Sequence, residues 1–124
     1  LTLAMKNPDI FRSVSALSPI SSTLASAWGQ AVFPIYLGKN SKVYSDYDAT
    51  ALMKTHGWGS DILVDQGGND DFLKEHLRPD LLKKAADENN ISLTLNIREG
   101  YDHSYWFVST FVGQHVAWHS AKLT

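Results

Sequence analysis

The chain has 124 residues, 44% hydrophobic and 11% aromatic, enough for one core and too apolar for a disordered chain. A net charge of −2 with interspersed signs offers no basic stripe, so nucleic acid and anionic membranes are poor partners, and no apolar run approaches the roughly 20 residues of a membrane span. No cysteine is present, which excludes disulfides, thiolate metal sites and a cysteine nucleophile.

Leu1 to Met5 reads as the last turns of a helix already under way, ended by Asn7-Pro8-Asp9. With leucine rather than methionine in front and no secretory leader visible, the chain is expected to be part of a longer one. Phe11 to Leu17 alternates loosely and Ser18-Pro19 stops it, predicting a short strand. Ile20 to Ser60 is less regular. Within it, Trp28 to Leu37 is too aromatic for an exposed helix, and Tyr47 to Lys54 predicts a short helix after an acidic start. Ile62-Leu63-Val64 is a continuous apolar run ending at Asp65, the pattern of a strand covered on both faces. Leu77, Leu81, Leu82, Ala85 and Ala86 recur at helical spacing with Pro79 in the first turn, and Asn89-Asn90 closes that helix. Ile91, Leu93, Leu95 and Ile97 then alternate strictly with polar residues, predicting a half-covered strand near a sheet edge. Ser104 to Lys122 forms the last helix.

Strands alternating with helices argue for βαβ units, an α/β fold with a mostly parallel sheet flanked by helices. Three strands make a poor sheet on their own, and the first exposes an edge unless an upstream strand covers it. In a right-handed βαβ unit, consecutive strands end on the same side of the sheet, where ligands bind in open α/β folds. Two turns fall there: Asp65-Gln66-Gly67-Gly68-Asn69-Asp70-Asp71-Phe72, and Glu99-Gly100-Tyr101-Asp102-His103. Gly67-Gly68 and Gly100 permit sharp turns after strands.

An acid after one strand and a histidine after the next are the last two members of a Ser-Asp-His hydrolase triad in one known chain order. A histidine can take a proton from a hydroxyl and return it to a leaving group. A carboxylate on its other ring nitrogen fixes the tautomer and stabilises the imidazolium. His103 is the candidate base and Asp70 the candidate acid, with Asp61, Asp65 and Asp71 competing for the acid role. No Gly-x-Ser-x-Gly occurs, and Ser13, Ser15 and Ser18 lie in or at the end of a strand without that elbow. The remaining candidates read as structural. His115 and His119 are four apart on a helix, a zinc-compatible spacing, but without a third ligand they are surface or packing residues. His56 and His76 have no partner pattern, and Asn69-Asp70-Asp71 lacks the rest of a calcium loop, so no metal is expected.

The words Lys6-Asn7-Pro8, Phe11-Arg12-Ser13-Val14-Ser15-Ala16, Ser18-Pro19-Ile20, Trp28-Gly29-Gln30, Tyr36-Leu37-Gly38, Tyr47-Asp48-Ala49-Thr50, Asp65-Gln66-Gly67, Asp70 with Phe72-Leu73, and Gly100-Tyr101-Asp102-His103-Ser104-Tyr105 run nearly the whole length. In that order they resemble the C-terminal half of the S-formylglutathione hydrolase (esterase D) family of α/β-hydrolases. The resemblance implies that residues 1–124 are the C-terminal portion of a single α/β-hydrolase domain. The nucleophilic serine and its oxyanion amide are then expected upstream of residue 1. It puts the acid on Asp70, the base on His103 and a pocket tryptophan on Trp28; Trp106, just after the histidine, is placed in the acyl pocket by proximity alone. Ser21 to Ala27 departs from the family's Asn-Pro and Cys-Pro pattern, which leaves substrate contacts in that tract open.

The implied activity is hydrolysis of S-formylglutathione to formate and glutathione in formaldehyde detoxification, with small esters as further substrates, no cofactor, and no activity in this segment alone. The rivals are a broad short-chain carboxylesterase and a non-catalytic hydrolase-like binding module. The resemblance also implies a cytoplasmic protein whose partner is a small-molecule substrate, and it admits a homodimer.

Overall fold

The computed structural model describes residues 1–123. Its elements in chain order are α1 (Thr2–Lys6), β1 (Val14–Leu17), α2 (Ala27–Leu37), a 3-10 turn (Ser41–Tyr47), α3 (Ala49–Thr55), β2 (Ile62–Gly67), a π-helical turn (Leu73–Leu77), α4 (Pro79–Glu88), β3 (Leu93–Arg98) and α5 (Tyr105–Leu123). The three strands form a parallel sheet in the order β1-β2-β3, with Val14 opposite Ile62 and Ile62 opposite Leu93. β2 is central and buried at all six positions, as its unbroken apolar run requires. β3 is an edge of this sheet; Leu93 and Leu95 pack against the core, whereas Ile97, further along the same face, is exposed.

The register sorts the side chains into two different faces. Val14, Ile62 and Val64 join Ala4 and Met5 of α1, Leu52 and Met53 of α3, and Leu82, Ala85 and Ala86 of α4 in the hydrophobic core. Fully burying one such aliphatic side chain stabilises by about 1.5–3 kcal/mol. α4 starts where the sequence places it: Pro79 occupies its first turn, and Arg78 before it has φ +46. Asn89 caps its end, returning its side-chain amide to the Ala85 carbonyl at 2.8 Å.

The opposite face, under α5, is polar. α5 lays down a stripe at four-residue intervals, with Phe107, Phe111 and His115 buried and His119 half-buried. A carboxylate only accepts hydrogen bonds, and with both imidazoles in their neutral form this fixes the direction of every bond in the row that follows. His115 donates from Nε2 to Asp65 Oδ2 at 2.8 Å and accepts at Nδ1 from the Ser15 hydroxyl at 2.8 Å. Ser15 in turn accepts from His119 Nε2 at 2.8 Å, and His119 Nδ1 accepts from the Ser13 hydroxyl at 2.7 Å. Arg98 closes the row on the other Asp65 oxygen, its guanidinium lying 4.3 Å from the Phe111 ring centroid. The two histidines expected as surface or packing residues are therefore packing residues with assigned bonds.

Two expectations change. The first strand begins at Val14, and Phe11 stays partly exposed before it. Trp28 to Leu37 is a helix despite its aromatic content, with Ile35 and Tyr36 exposed at 76% and 81%. It is tolerated because α2 leans on the 3-10 turn through Phe33 against Tyr44, at 5.0 Å, rather than covering the sheet. Ser26 caps it by accepting from the Gly29 amide at 2.9 Å. No helix among the described residues is long and apolar enough to cross a membrane.

Asp48 ties the irregular region down. Fully buried, it accepts from the Thr50 and Ser22 hydroxyls at 2.6 and 2.7 Å and from the Ala51 and Leu24 amides at 2.9 Å. Burial pushes its pKa up, but these four donors prevail and hold the carboxyl below the ordinary carboxylate value. Its stabilisation is thus present above that value and lost as pH falls below it. Asp48→Ala should cost the intact protein about 2–3 kcal/mol, read from chemical denaturation, since it strips charged hydrogen bonds from both a helix start and a loop.

Burial, with the neighbouring His115 second, lowers the His119 pKa below the usual histidine value of 6.5. A depressed histidine makes the fold less stable as pH drops from 6.5 towards the folded-state value, because the unfolded chain binds the proton first. Thermal unfolding across that window should show a shallower acid decline in His119→Asn than in the parent; parallel curves would remove His119 as the cause.

Candidate active site

Both turns sit at the carboxyl end of the sheet, where β2 and β3 stop in register with Gly67 opposite Arg98. Beyond the strands the pairing continues through the loops. Gly68 donates to the Arg98 carbonyl at 2.8 Å, Asn69 to the Tyr101 carbonyl at 2.9 Å, and Gly100 to the Asn69 side chain at 3.0 Å. A side chain at Gly67 would put its Cβ 2.5 Å from the Tyr101 carbonyl oxygen and 2.8 Å from that of Asp102, so only glycine lets the second loop cross here. Gly100 has φ +79 and makes the turn itself.

That crossing brings Asp70 and His103 together. His103 donates from Nδ1 to Asp70 Oδ2 at 2.7 Å. The Asp70 side chain is fully buried, whereas that of His103 is 45% exposed. Two more donors hold the carboxylate: Gln66 Nε2 on Oδ2 at 3.0 Å and the Phe72 amide on Oδ1 at 2.9 Å. The bond to Phe72 is the Asx-turn that such an acidic loop would make without any catalytic role, so Asp70 is both turn former and imidazole partner. Phe72 stands edge-on to the imidazole, 5.2 Å between centroids and 81° between planes. With Nδ1 engaged, Nε2 of His103 makes no hydrogen bond among the described residues, leaving a lone pair for an incoming hydroxyl.

The competing acids are otherwise occupied or out of reach. Asp61 pairs with Lys122, Asp65 with Arg98 and His115, and Asp71 is exposed. Ser15, His115 and Asp65 form a second serine-histidine-carboxylate set by hydrogen bonding alone. None of the three lines either cavity at His103, and Asp65 and His115 are 0% and 4% exposed, so a substrate has no approach.

Two cavities meet at Ser18 and His103. One, of about 310 Å³, lies between the end of β1 and the first turns of α5, lined by Leu17, Tyr105, Phe107 and Val108. The other, of about 340 Å³, is lined by Ile20, Trp28, Phe72, His76 and Leu77. Trp28 is thus brought to the histidine. Trp106 lines neither cavity: it stacks on Tyr101 at 4.3 Å and 22°, turned away because successive residues of α5 point in different directions. Gln66, Ser18 and His76 were not singled out for the site from the sequence. The one available signal was Gln66, whose polar side chain lies in a strand that is buried on both faces. No group of three or more metal-ligating side chains occurs among the described residues.

Comparison with known proteins agrees with this architecture. An S-formylglutathione hydrolase from Agrobacterium tumefaciens superposes with a TM-score of 0.94 at 39% sequence identity. The match covers 99% of this chain and 44% of that one, so the chain spans less than half the length of the enzyme it resembles. Residues 1–123 match the model of the Esterase family, described as "Putative esterase". The mixed α/β fold, the parallel sheet and this match over nearly the whole length make the chain a member of the Esterase family.

Proposed function

We propose that the protein carrying this chain hydrolyses S-formylglutathione to formate and glutathione, with this chain supplying His103 and Asp70 of a Ser-His-Asp triad. The observation that carries the proposal is the 2.7 Å bond from His103 Nδ1 to a buried carboxylate, with Nε2 free beside two cavities. The 39% identical hydrolase supports the substrate. The cavity between β1 and α5 suits an incoming serine from the rest of the longer protein.

In this reading the serine oxygen attacks the formyl carbon as His103 Nε2 takes its proton. The tetrahedral oxyanion rests on backbone amides, also from outside these residues. On collapse the carbon–sulfur bond breaks and His103 returns the proton to the departing sulfur. Water then repeats the sequence on the formyl-serine, releasing formate. Asp70 holds the imidazole in the required tautomer and offsets its charge while it is protonated.

His103→Ala in the intact protein should lower kcat by roughly 10⁴-fold or more. Asp70→Asn keeps the shape but reverses the hydrogen-bond polarity at Nδ1, and should cost about 10³- to 10⁴-fold. Asp71→Asn should stay within about fivefold, on the scale of a surface change, and Ser18→Ala, at a serine that borders both cavities without being the nucleophile, should keep kcat within about tenfold. A collapse of activity in the Ser18 variant would make that strand-end serine the nucleophile and refute an upstream one.

The second cavity, about 340 Å³ and largely apolar, favours one rival, a general short-chain esterase. Steady-state kinetics separate the two: kcat/KM for the glutathione thioester should exceed that for acetyl and butyryl esters. Parity would leave only the broader activity.

A further inference from the structure

The π-helical turn after Asp70 determines what faces the base across the second cavity. Its amide bonds reach back five residues, Leu77 to Phe72 at 3.0 Å and Arg78 to Leu73 at 2.9 Å. The wider turn fits an extra residue, and such turns concentrate at functional sites. Here both Phe72 and His76 line the cavity, their rings 5.8 Å apart, with Phe72 between His76 and His103.

His76 is half-buried, and its Nδ1 is enclosed without a partner. Its Nε2 makes no hydrogen bond among the described residues. Orphaned N–H groups are rarer than orphaned acceptors, which puts the proton of the neutral ring on Nε2. Ser18 Oγ, also lining this cavity, is likewise buried and unpartnered. Leaving a hydroxyl unmatched costs about 1–3 kcal/mol, so a ligand oxygen that accepts from Ser18 Oγ gains selectively. A formyl group, one carbon and one oxygen, has no use for a cavity of about 340 Å³.

We infer that this cavity takes the leaving group, and that His76 is a specificity residue donating from Nε2 to a peptide or carboxylate oxygen of glutathione. Trp28 and Phe72 cover the methylenes on either side of that oxygen. The inference rests on the thioesterase reading above and adds to it which residue recognises the thiol half of the substrate.

Acetyl thioesters of glutathione and of ethanethiol share acyl group and leaving sulfur, but only the first brings peptide and carboxylate oxygens. In the intact protein, His76→Leu should raise KM for the glutathione thioester about five- to tenfold, with kcat within about twofold. Its kcat/KM for ethyl thioacetate should not change. His76→Gln keeps a donor and should recover most of the lost affinity. If the leucine variant unfolds, His76→Asn gives the same contrast, since it keeps polarity but loses reach. Equal losses on both thioesters, or none on either, overturn the assignment while leaving the hydrolase reading intact. A parent protein that fails to prefer the glutathione thioester sinks that reading, and the role of His76 with it.

Discussion

The site depends on a close backbone crossing. The loop carrying His103 passes directly over Gly67, where no side chain could fit, and three hydrogen bonds stitch it to the loop carrying Asp70. Parallel strands commonly diverge once their ladder ends. Here the ladder is prolonged by three loop amides, two bonded to main-chain carbonyls and one to the Asn69 side chain, so the carboxylate and imidazole are placed largely by main chain. Gln66 and the Phe72 amide then fix the carboxylate, leaving the imidazole as the only partly exposed member. In the proposed mechanism, preorganisation of this kind leaves little to rearrange when the ring takes up a proton.

Two carboxylate–imidazole pairs stand on the same sheet and behave differently because of where they stand. Asp70–His103 lies beyond the strand ends, with one ring nitrogen bonded and the other open to a cavity. Asp65–His115 lies mid-sheet under α5, with both ring nitrogens committed. The same two groups leave a ring nitrogen open to a cavity in the first position and commit both nitrogens to packing in the second. Hydrogen-bonding pattern is therefore a weak guide to a catalytic centre unless paired with access.

Much of this was legible in the residues themselves. The unbroken run at Ile62, the alternation from Leu93 to Ile97 and the Pro79 start each gave the right element, because burial on two faces, burial on one face and helix-start geometry leave different periodicities. Asp70 and His103 could be brought together by topology, since successive parallel strands end on one side. What resisted was contact that no local pattern encodes. Nothing near His115 points to Ser15, 100 residues away, and nothing near His76 announces a π-turn. Trp106 lines neither of the two cavities at His103 despite its nearness in sequence, because a helix turns consecutive residues to different sides. Ile35 and Tyr36 are exposed against the expectation that so aromatic a stretch would be covered, because α2 leans on the 3-10 turn through Phe33.

The row from Ser13 through His119, Ser15 and His115 to Asp65 has a single polarity, each member giving to the next. Removing a middle member strands two neighbours at once in a partly buried place. Losing the Ser15 hydroxyl would leave His115 Nδ1 and His119 Nε2 both without their partner, so one substitution there undoes two links of the floor beneath the last helix.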